Sequence, residues 1–367
     1  NDYHDKMTAH TKDFQADLFQ EMKARIKEDD ESVPYFYNGY YYLTRYEKGS
    51  EYPIYARKKD SLTAQEEILF DVNEMAKDYA YYQLRGLNVS PDNKWVAFGV
   101  DTLSRRQYIL HIKNLETGEI LEENIQNTTG GSTWGNDNKT LFYTKKDPVT
   151  LRSDKIYRHI MGTPEVEDVQ LYHEEDETFN TYIYKTKSEQ YLVIGSISTL
   201  TSEYRICDAN QPLGRFEVFQ ERVRGLEYDI DHYQDHFYIV TNKDQATNFK
   251  LMKTPLDKTA QEYWVEVIPH REDVLLEDVD LFRDYLVVSE RIEGLTQLRI
   301  MPWDGSPSFN LPFDNETYTA GTTQNIEFNT SKLRYRYTSL TTPASVIEYD
   351  MATGEQVVLK ETEVLGI

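Results

Sequence analysis

The stretch KWVAFGVDTLSRRQYILHIKNLETGEILEE, residues 94–123, contains three short runs rich in Val, Ile, Leu, Phe and Tyr, separated by polar turns. β-Branched and aromatic residues favour strands, whereas Asp, Asn, Ser and Gly are frequent in the turns between strands. The pattern therefore predicts successive short strands joined by tight turns.

The same strand–turn–strand unit recurs along the chain at a nearly constant period. Its seven copies start 45 to 54 residues apart, at Ile54, Tyr108, Ile156, Tyr204, Phe249, Leu298 and Ser345. Two further strand-like runs precede each copy, which gives four strands per unit. Repeated four-stranded units are typical of β-propellers. The sequence therefore predicts an all-β fold: a seven-bladed β-propeller with four-stranded blades over residues 33–367.

Residues 5–29 have a different periodicity. Apolar and small side chains recur every three or four residues, at Met7, Thr11, Phe14, Leu18, Met22 and Ile26, which predicts a helix with one apolar face. Four carboxylates at 28–31 are unfavourable at the negative end of the helix dipole, and Pro34 then ends the helical pattern. We therefore expect one N-terminal α-helix, in a segment 1–32, that is held by packing against another element.

Composition and charge limit the classes of partner. The 367 residues carry a formal net charge of −23, and 39% of them are apolar. Nucleic-acid binding depends on neutralising phosphates with Lys and Arg, and no apolar run approaches the roughly 20 residues of a membrane helix. We expect neither nucleic acid nor a membrane as partner. The negative charge either maintains solubility or attracts cationic ligands.

No complete catalytic motif or metal site is apparent. The nucleophile elbow G-x-S-x-G does not occur, and its nearest counterpart, around Ser132, lacks the second glycine. His232 and His236 lie in a predicted strand, where a spacing of four residues separates them by about 13 Å, too far for one metal ion. The single cysteine, Cys207, excludes an internal disulfide and a cysteine-rich zinc site. The sequence predicts no catalytic residue, metal or cofactor in this chain.

Loops on one rim of the predicted propeller are the candidate binding surface. In a four-stranded blade, the loop between the second and third strands lies on the same rim as the loop that enters the first strand, and loops on a rigid scaffold often bind partners. The candidate rim residues in these loops are Arg105, Arg106, Arg152, Glu203, Asn242 and Glu290.

Stretches from almost the whole chain resemble, in order, the oligopeptidase B (protease II) group of the prolyl oligopeptidase family of serine peptidases. They include EMKARIKEDDESVP (20–34), DTLSRRQY (101–108), LFYTKKDPVTLR (141–152), ERIEGLTQLR (290–299) and YTSLTTPASVIEYDMATGE (337–355). In that family a seven-bladed propeller caps an α/β-hydrolase domain, which carries a Ser-Asp-His triad and prefers Lys or Arg before the cleaved bond. The resemblance implies that this chain is the propeller portion and is inactive alone.

The same resemblance implies the partners. They are the protein's own C-terminal α/β-hydrolase domain, on which segment 1–32 packs, and short basic peptides, which the propeller admits while excluding folded proteins. The loop with Gly131 and Ser132 is expected on the rim that faces the active site. A stand-alone propeller that binds a protein or peptide without peptidase activity is the alternative. The compartment is expected to be cytoplasmic, with periplasmic also open.

Overall fold

The N-terminal segment is helical but shorter than predicted. The computed structural model describes residues 2–365, in which α1 spans Asp2–Thr8, a 3-10 turn spans Ala9–Thr11, and α2 spans Lys12–Ala24. None of these residues is buried. The helix ends five residues before the predicted end, since the carboxylates at 28–31 are unfavourable at a helix C-terminus.

The rest of the described chain is almost entirely β-structure. The first sheet contains β1 (Asp30–Glu31), β2 (Tyr35–Tyr37), β3 (Tyr40–Tyr46), β4 (Ile54–Lys59) and β5 (Glu66–Asp71), and the one-turn helix α3 (Val72–Met75) follows it. The second sheet contains β6 (Gln83–Val89), β7 (Trp95–Asp101), β8 (Tyr108–Asn114), β9 (Ile125–Trp134), β10 (Thr140–Lys146), β11 (Ser153–Ile160) and β12 (Val169–His173).

Four sheets of four strands complete the fold. The third sheet contains β13 (Asn180–Lys185), β14 (Tyr191–Ile197), β15 (Ser202–Asp208) and β16 (Glu217–Val218), and the fourth contains β17 (Tyr228–Tyr233), β18 (His236–Thr241), β19 (Lys250–Pro255) and β20 (Val265–Ile268). The fifth contains β21 (Val274–Leu281), β22 (Tyr285–Ile292), β23 (Leu295–Pro302) and β24 (Phe309–Asn310), and the sixth contains β25 (Tyr318–Thr322), β26 (Lys332–Ser339), β27 (Ser345–Asp350) and β28 (Gln356–Glu361). Every strand pair is antiparallel, as expected for propeller blades.

The prediction of seven four-stranded blades is wrong. Five of the six described sheets are single blades of four or five strands, whereas the second is one continuous sheet of seven strands. Two predicted units merge there because β9 is ten residues long and pairs with strands on both sides. Its first half pairs with β8, through Ile125 and Thr128, and its second half pairs with β10, through Ser132 and Trp134. No loop separates the two units at this point.

Glycines allow the long strand to bend between its two partners. Gly130, in the middle of β9, has φ +85°, a conformation that residues with a Cβ rarely adopt. Gly86 and Gly99 face this bend: a Cβ on Gly99 would lie 2.4 Å from the Cα of Gly130. The close backbone approach therefore depends on several glycines together.

Aromatic and aliphatic side chains join neighbouring sheets. The rings of Phe70 and Phe98 connect the first and second sheets at a centroid distance of 4.6 Å, and those of Phe219 and Phe237 connect the third and fourth at 5.1 Å. All four side chains are buried, and each such ring contributes roughly 2 kcal/mol through removal from water. Among the described helices, none is both long enough and apolar enough to cross a bilayer.

Candidate functional site

A central cavity of about 760 Å³ opens between the sheets. All six sheets contribute to its wall, through β2, β6, β9, β13, β17 and β21 and through the segment that follows β25. The wall includes Tyr37, Asn88, Ser132, Tyr182, Tyr184, Lys187, Glu189, Asp231, Asp278 and Ile326. This position, on the axis of a propeller, makes the cavity the main candidate site.

Carboxylates dominate one side of the cavity. Asp229 and Asp231 alternate along β17, and Asp278 and Asp280 alternate along β21, so that each pair is on one face of its strand. Burial above all raises the pKa of Asp231 to about 7 and that of Asp278 to about 6, and the negative charges of Asp229 and Asp280 contribute to the value of Asp278. The raised pKa values follow mainly from the removal of these carboxylates from water, which the charge of Lys187 offsets only in part at Asp231.

Lys187 provides a cation in this region. Its ammonium group lies 2.5 Å from Oδ1 of Asp280 and 3.6 Å from the ring centroid of Phe282. Burial lowers the pKa of Lys187, although Asp280 opposes this shift. Because Lys187 pairs with Asp280, Asp229 and Asp278 remain available to attract a cationic group.

A hydrogen bond of Tyr37, like that of Lys187 with Asp280, joins sheets that are not neighbours. The hydroxyl of Tyr37, at the end of β2 in the first sheet, donates to Glu189, in the turn between β13 and β14 of the third sheet. Both residues line the cavity. The contact therefore narrows the cavity at the end where β2 and β13 finish.

Arg152, a predicted rim residue, organises a loop between sheets. Its guanidinium donates to the carbonyl oxygens of Glu174, Asp176 and Phe179 at 2.9–3.0 Å. These acceptors belong to the segment that connects β12 to β13, so Arg152 fixes the path of the chain from the second sheet to the third.

Glu203 lies in the same region and is buried. It forms ion pairs with Arg205 at 2.6 Å and with Arg222 at 3.6 Å. Arg222 also pairs with Glu174 at 2.5 Å, and the hydrogen bonds of Glu174, above all from Arg222, outweigh its burial and lower its pKa to about 2. The structure thus brings Arg152 and Glu203 into one network through Glu174 and Arg222.

Glu290 and Asn242 have local partners within their own blades. Glu290 is buried and pairs with Arg299 at 2.5 Å and with Arg271. Asn242 accepts from the backbone N–H of Glu227 and donates to the carbonyl oxygen of Gly225. Neither is brought together with the network around Glu203.

The remaining predicted residues lie at two places. Arg105 and Arg106 have exposed side chains, and their backbone N–H groups donate to Asp101 at 2.9 and 2.7 Å. Gly131 and Ser132 lie within β9 rather than in a loop, with open space where a Cβ of Gly131 would lie. Ser132 lines the central cavity, and its Oγ has no hydrogen-bond partner among the described residues.

Sequence reasoning missed Glu174, Arg222 and the cavity carboxylates. The spacing of Asp229 with Asp231 and of Asp278 with Asp280 was a usable signal, because alternate residues on the first strand of a blade face the propeller axis. The pairing of Glu174 with Arg222 had no such signal, since 48 positions separate the two residues.

Comparison with known proteins then decides the family. The family profile described as the prolyl oligopeptidase N-terminal β-propeller domain matches residues 1–362. The chain belongs to the prolyl oligopeptidase family. This confirms the resemblance identified in the sequence.

Relatives of this prolyl oligopeptidase propeller are about twice as long. Dipeptidyl aminopeptidase BI from Pseudoxanthomonas mexicana is 39% identical over the whole chain, which covers 52% of that protein. Protease 2 from Moraxella lacunata is 30% identical over 95% of the chain, with 51% of that protein covered. The chain therefore spans about half the length of these curated relatives.

Solved structures give the same result. Oligopeptidase B from Leishmania major superposes with a TM-score of 0.92 at 30% identity, covering 99% of this chain and 53% of that one. Oligopeptidase B from Trypanosoma brucei, with covalently bound antipain, gives 0.91 at 29%, with 99% and 52% covered. The fold described here is thus the propeller portion of such peptidases.

Proposed function

We propose that this propeller is the substrate-filtering part of an oligopeptidase B-like serine endopeptidase that cleaves short peptides after Lys or Arg. The observation that carries the proposal is the acidic central cavity in a propeller of this family. Its carboxylates, Asp229 and Asp278 above all, attract cationic peptides. A cavity of about 760 Å³ admits a flexible peptide and excludes a folded protein.

The catalytic steps belong to an α/β-hydrolase domain that is the propeller's principal partner in this proposal. An activated serine there attacks the scissile carbonyl, and a histidine transfers the proton to the leaving amine. Segment 1–32 supports such a partner, because Phe14 and Met22 on α2, and Ile26 just after its end, are each at least 60% exposed. Exposed apolar side chains in such an arrangement are typical of an interaction surface.

The predicted rim residues have a supporting role in this proposal. Arg105 and Arg106 offer exposed guanidinium groups for carboxylates of the partner domain. The rim loops are held in place by Arg152, Glu203, Asn242 and Glu290. The wall of the central cavity is shaped by Gly131 and Ser132.

The relative from P. mexicana favours a second candidate function. It is named a dipeptidyl aminopeptidase, which suggests release of dipeptides from a free N-terminus. Substrates with blocked and with free N-termini distinguish this activity from endopeptidase cleavage.

The test begins with the reading frame beyond Ile367. The proposal expects it to encode G-x-S-x-G followed by Asp and His, and the longer protein to hydrolyse Arg- and Lys-linked chromogenic peptides. The 367-residue chain alone is expected to give no turnover, and a Glu-linked peptide is the control substrate. A reading frame without these motifs would instead favour a stand-alone binding propeller.

A further inference from the structure

Four cationic side chains lie close together on the second sheet. Arg105 and Arg106 are in the loop between β7 and β8, and Lys146 is the last residue of β10. Arg85, on β6, lies with its guanidinium carbon 5.4 Å from the ring centroid of Tyr108, the residue that follows this loop. Burial lowers the pKa of Lys146, and the positive charges of Arg106 and Arg85 lower it further. We call these four side chains the cationic rim group.

The cationic rim group lies at one end of the central cavity. β6 begins at Gln83, which pairs with Asp101 at the end of β7, so the loop after β7 is beside the start of β6. The contact between Tyr37 and Glu189 is instead at the end where β2 and β13 finish. Because the innermost strands of a propeller run in the same direction along its axis, the group flanks the opposite opening of the cavity.

Carboxylates of the chain do not neutralise the cationic rim group. Within residues 2–365, none of its four side chains forms an ion pair with a carboxylate. The charge of Asp101 acts on Lys146, but this carboxylate is buried and accepts three backbone N–H groups of the loop that follows it. Asp147, next to Lys146, accepts N–H groups of its own loop. Positive charge is therefore in local excess in a chain of net charge −23.

The loop that presents the two arginines has a fixed backbone. Oδ2 of Asp101 accepts the N–H groups of Arg105 and Arg106 at 2.9 and 2.7 Å, and Nζ of Lys146 donates to the carbonyl oxygen of Arg106 at 2.7 Å. Ser104 and Arg106 have φ values of 57° and 54°, which residues with a Cβ rarely adopt. Such a conformation persists where surrounding contacts hold it, as they do in many binding loops. Both guanidinium groups remain exposed and open to a ligand.

The chemistry of the group fits a carboxylate. Guanidinium groups bind carboxylates through two parallel hydrogen bonds. A short peptide with cationic side chains always carries one negative group, its C-terminal carboxylate. Asp229 and Asp278 are on the fourth and fifth sheets, whereas the cationic rim group is on the second. The two kinds of charge on such a peptide therefore have separate places around one cavity.

We propose that the cationic rim group binds the C-terminal carboxylate of a short peptide whose cationic side chain is attracted to the acidic cavity wall. This inference rests on the proposed function and deepens it. It makes the free C-terminus, in addition to the size of the cavity, a criterion by which short peptides are selected. A loop of a folded protein offers no terminal carboxylate at this position, and an amidated peptide has lost the charge.

Two forms of one peptide test the site on the whole chain. Fluorescence anisotropy compares an N-terminally labelled pentapeptide with two Arg as its C-terminal acid and as its C-terminal amide, at about 20 mM NaCl, where screening is weak. The acid is expected to bind roughly two- to fivefold more tightly. The net charge of −23 alone would favour the more positive amide, so a preference for the acid identifies a local cationic site.

Variants assign the preference to named residues. Arg105→Gln/Arg106→Gln, at two exposed positions, is expected to abolish the preference for the acid. Arg224→Gln is the matched control, because Arg224 is exposed between β16 and β17 and has no ion pair in the described part of the chain. This variant should keep the preference. Asp229→Asn/Asp278→Asn should weaken binding of both forms and leave their ratio unchanged.

The outcomes separate this site from the proposed function. Equal or tighter binding of the amide by the wild type would overturn the site and favour carboxylates of the partner domain as the ligands of Arg105 and Arg106. A preference for the acid that survives Arg105→Gln/Arg106→Gln, or that is lost equally in Arg224→Gln, would also overturn it. In each case a preference for Arg over Glu peptides would still support the proposed function. No binding of either form would contradict both.

Discussion

At the scale of single residues, His159 is a buried charged group in the second sheet. Its Nδ1 lies 2.7 Å from Asp168, and its Nε2 lies 3.5 Å from Glu123. Burial alone would lower the pKa of His159, but the two carboxylates outweigh it and raise the pKa to about 9. The protonated ring therefore holds β11 to the segments that carry both carboxylates.

His159→Gln is expected to lower the free energy of unfolding by about 3 kcal/mol at pH 7, because it leaves a buried carboxylate without its cation. The pKa of His159 is higher in the folded state, so its stabilising contribution is complete below the unfolded value near 6.5 and is lost as the pH rises through about 9. Urea unfolding at pH 7 and pH 9.5 measures both effects. His236→Gln, at a more exposed pair with Asp235, is the control, and equal losses in the two variants would refute this role.

Asp231 contrasts with His159, because folding favours the uncharged form of Asp231 and the charged form of His159. Because burial raises its folded pKa to about 7, its neutral form is favoured by folding, and this contribution is lost as the pH rises from the unfolded value near 3.8 through about 7. Asp231→Asn preserves an acceptor for the N–H groups of Lys187 and His232 and removes the charge. The variant should therefore lose less stability than wild type between pH 5 and pH 8 in thermal unfolding. An unchanged pH profile would show that Asp231 titrates normally.

At the scale of elements, β9 determines how the second sheet is built. A Cβ at Gly130 would lie 2.8 Å from the ring of Tyr108, and its φ of +85° disfavours any other residue. Gly130→Ala is expected to cost about 1–3 kcal/mol, measured by urea unfolding. Gly131→Ala, where the added methyl meets open space, is the matched control and should change stability by less than about 1 kcal/mol. Similar values for the two variants would argue against a strained bend.

The sequence predicted most elements but not how they join. Strands β4, β8 and β27 begin at Ile54, Tyr108 and Ser345, as the repeat predicted, because β-branched and aromatic runs between turn residues are a local signal. The sequence did not predict that β9 joins two units into one sheet. This joining depends on which strands pair with β9, and the local composition does not encode strand pairing. The pairing of Glu174 with Arg222 is likewise a product of a long-range contact.

At the scale of the whole molecule, the net charge of −23 extends to the wall of the central cavity, where carboxylates (Glu189, Asp229, Asp231 and Asp278) outnumber ammonium groups (Lys185 and Lys187). Attraction of a cationic peptide to Asp229 and Asp278 would weaken with salt. Replacing both with Asn removes this attraction and also relieves their mutual repulsion. The double variant should therefore bind basic peptides less tightly while remaining at least as stable as wild type.

The central claim is that this propeller selects short basic peptides through its acidic cavity. Fluorescence anisotropy with two labelled pentapeptides, one containing two Arg and one containing two Glu in the same positions, measures this directly on the chain. The account predicts tighter binding of the Arg peptide, loss of that preference in Asp229→Asn/Asp278→Asn, and weakening by about 500 mM NaCl. Equal affinity for the two peptides, or an Arg preference that survives the double substitution, would contradict it.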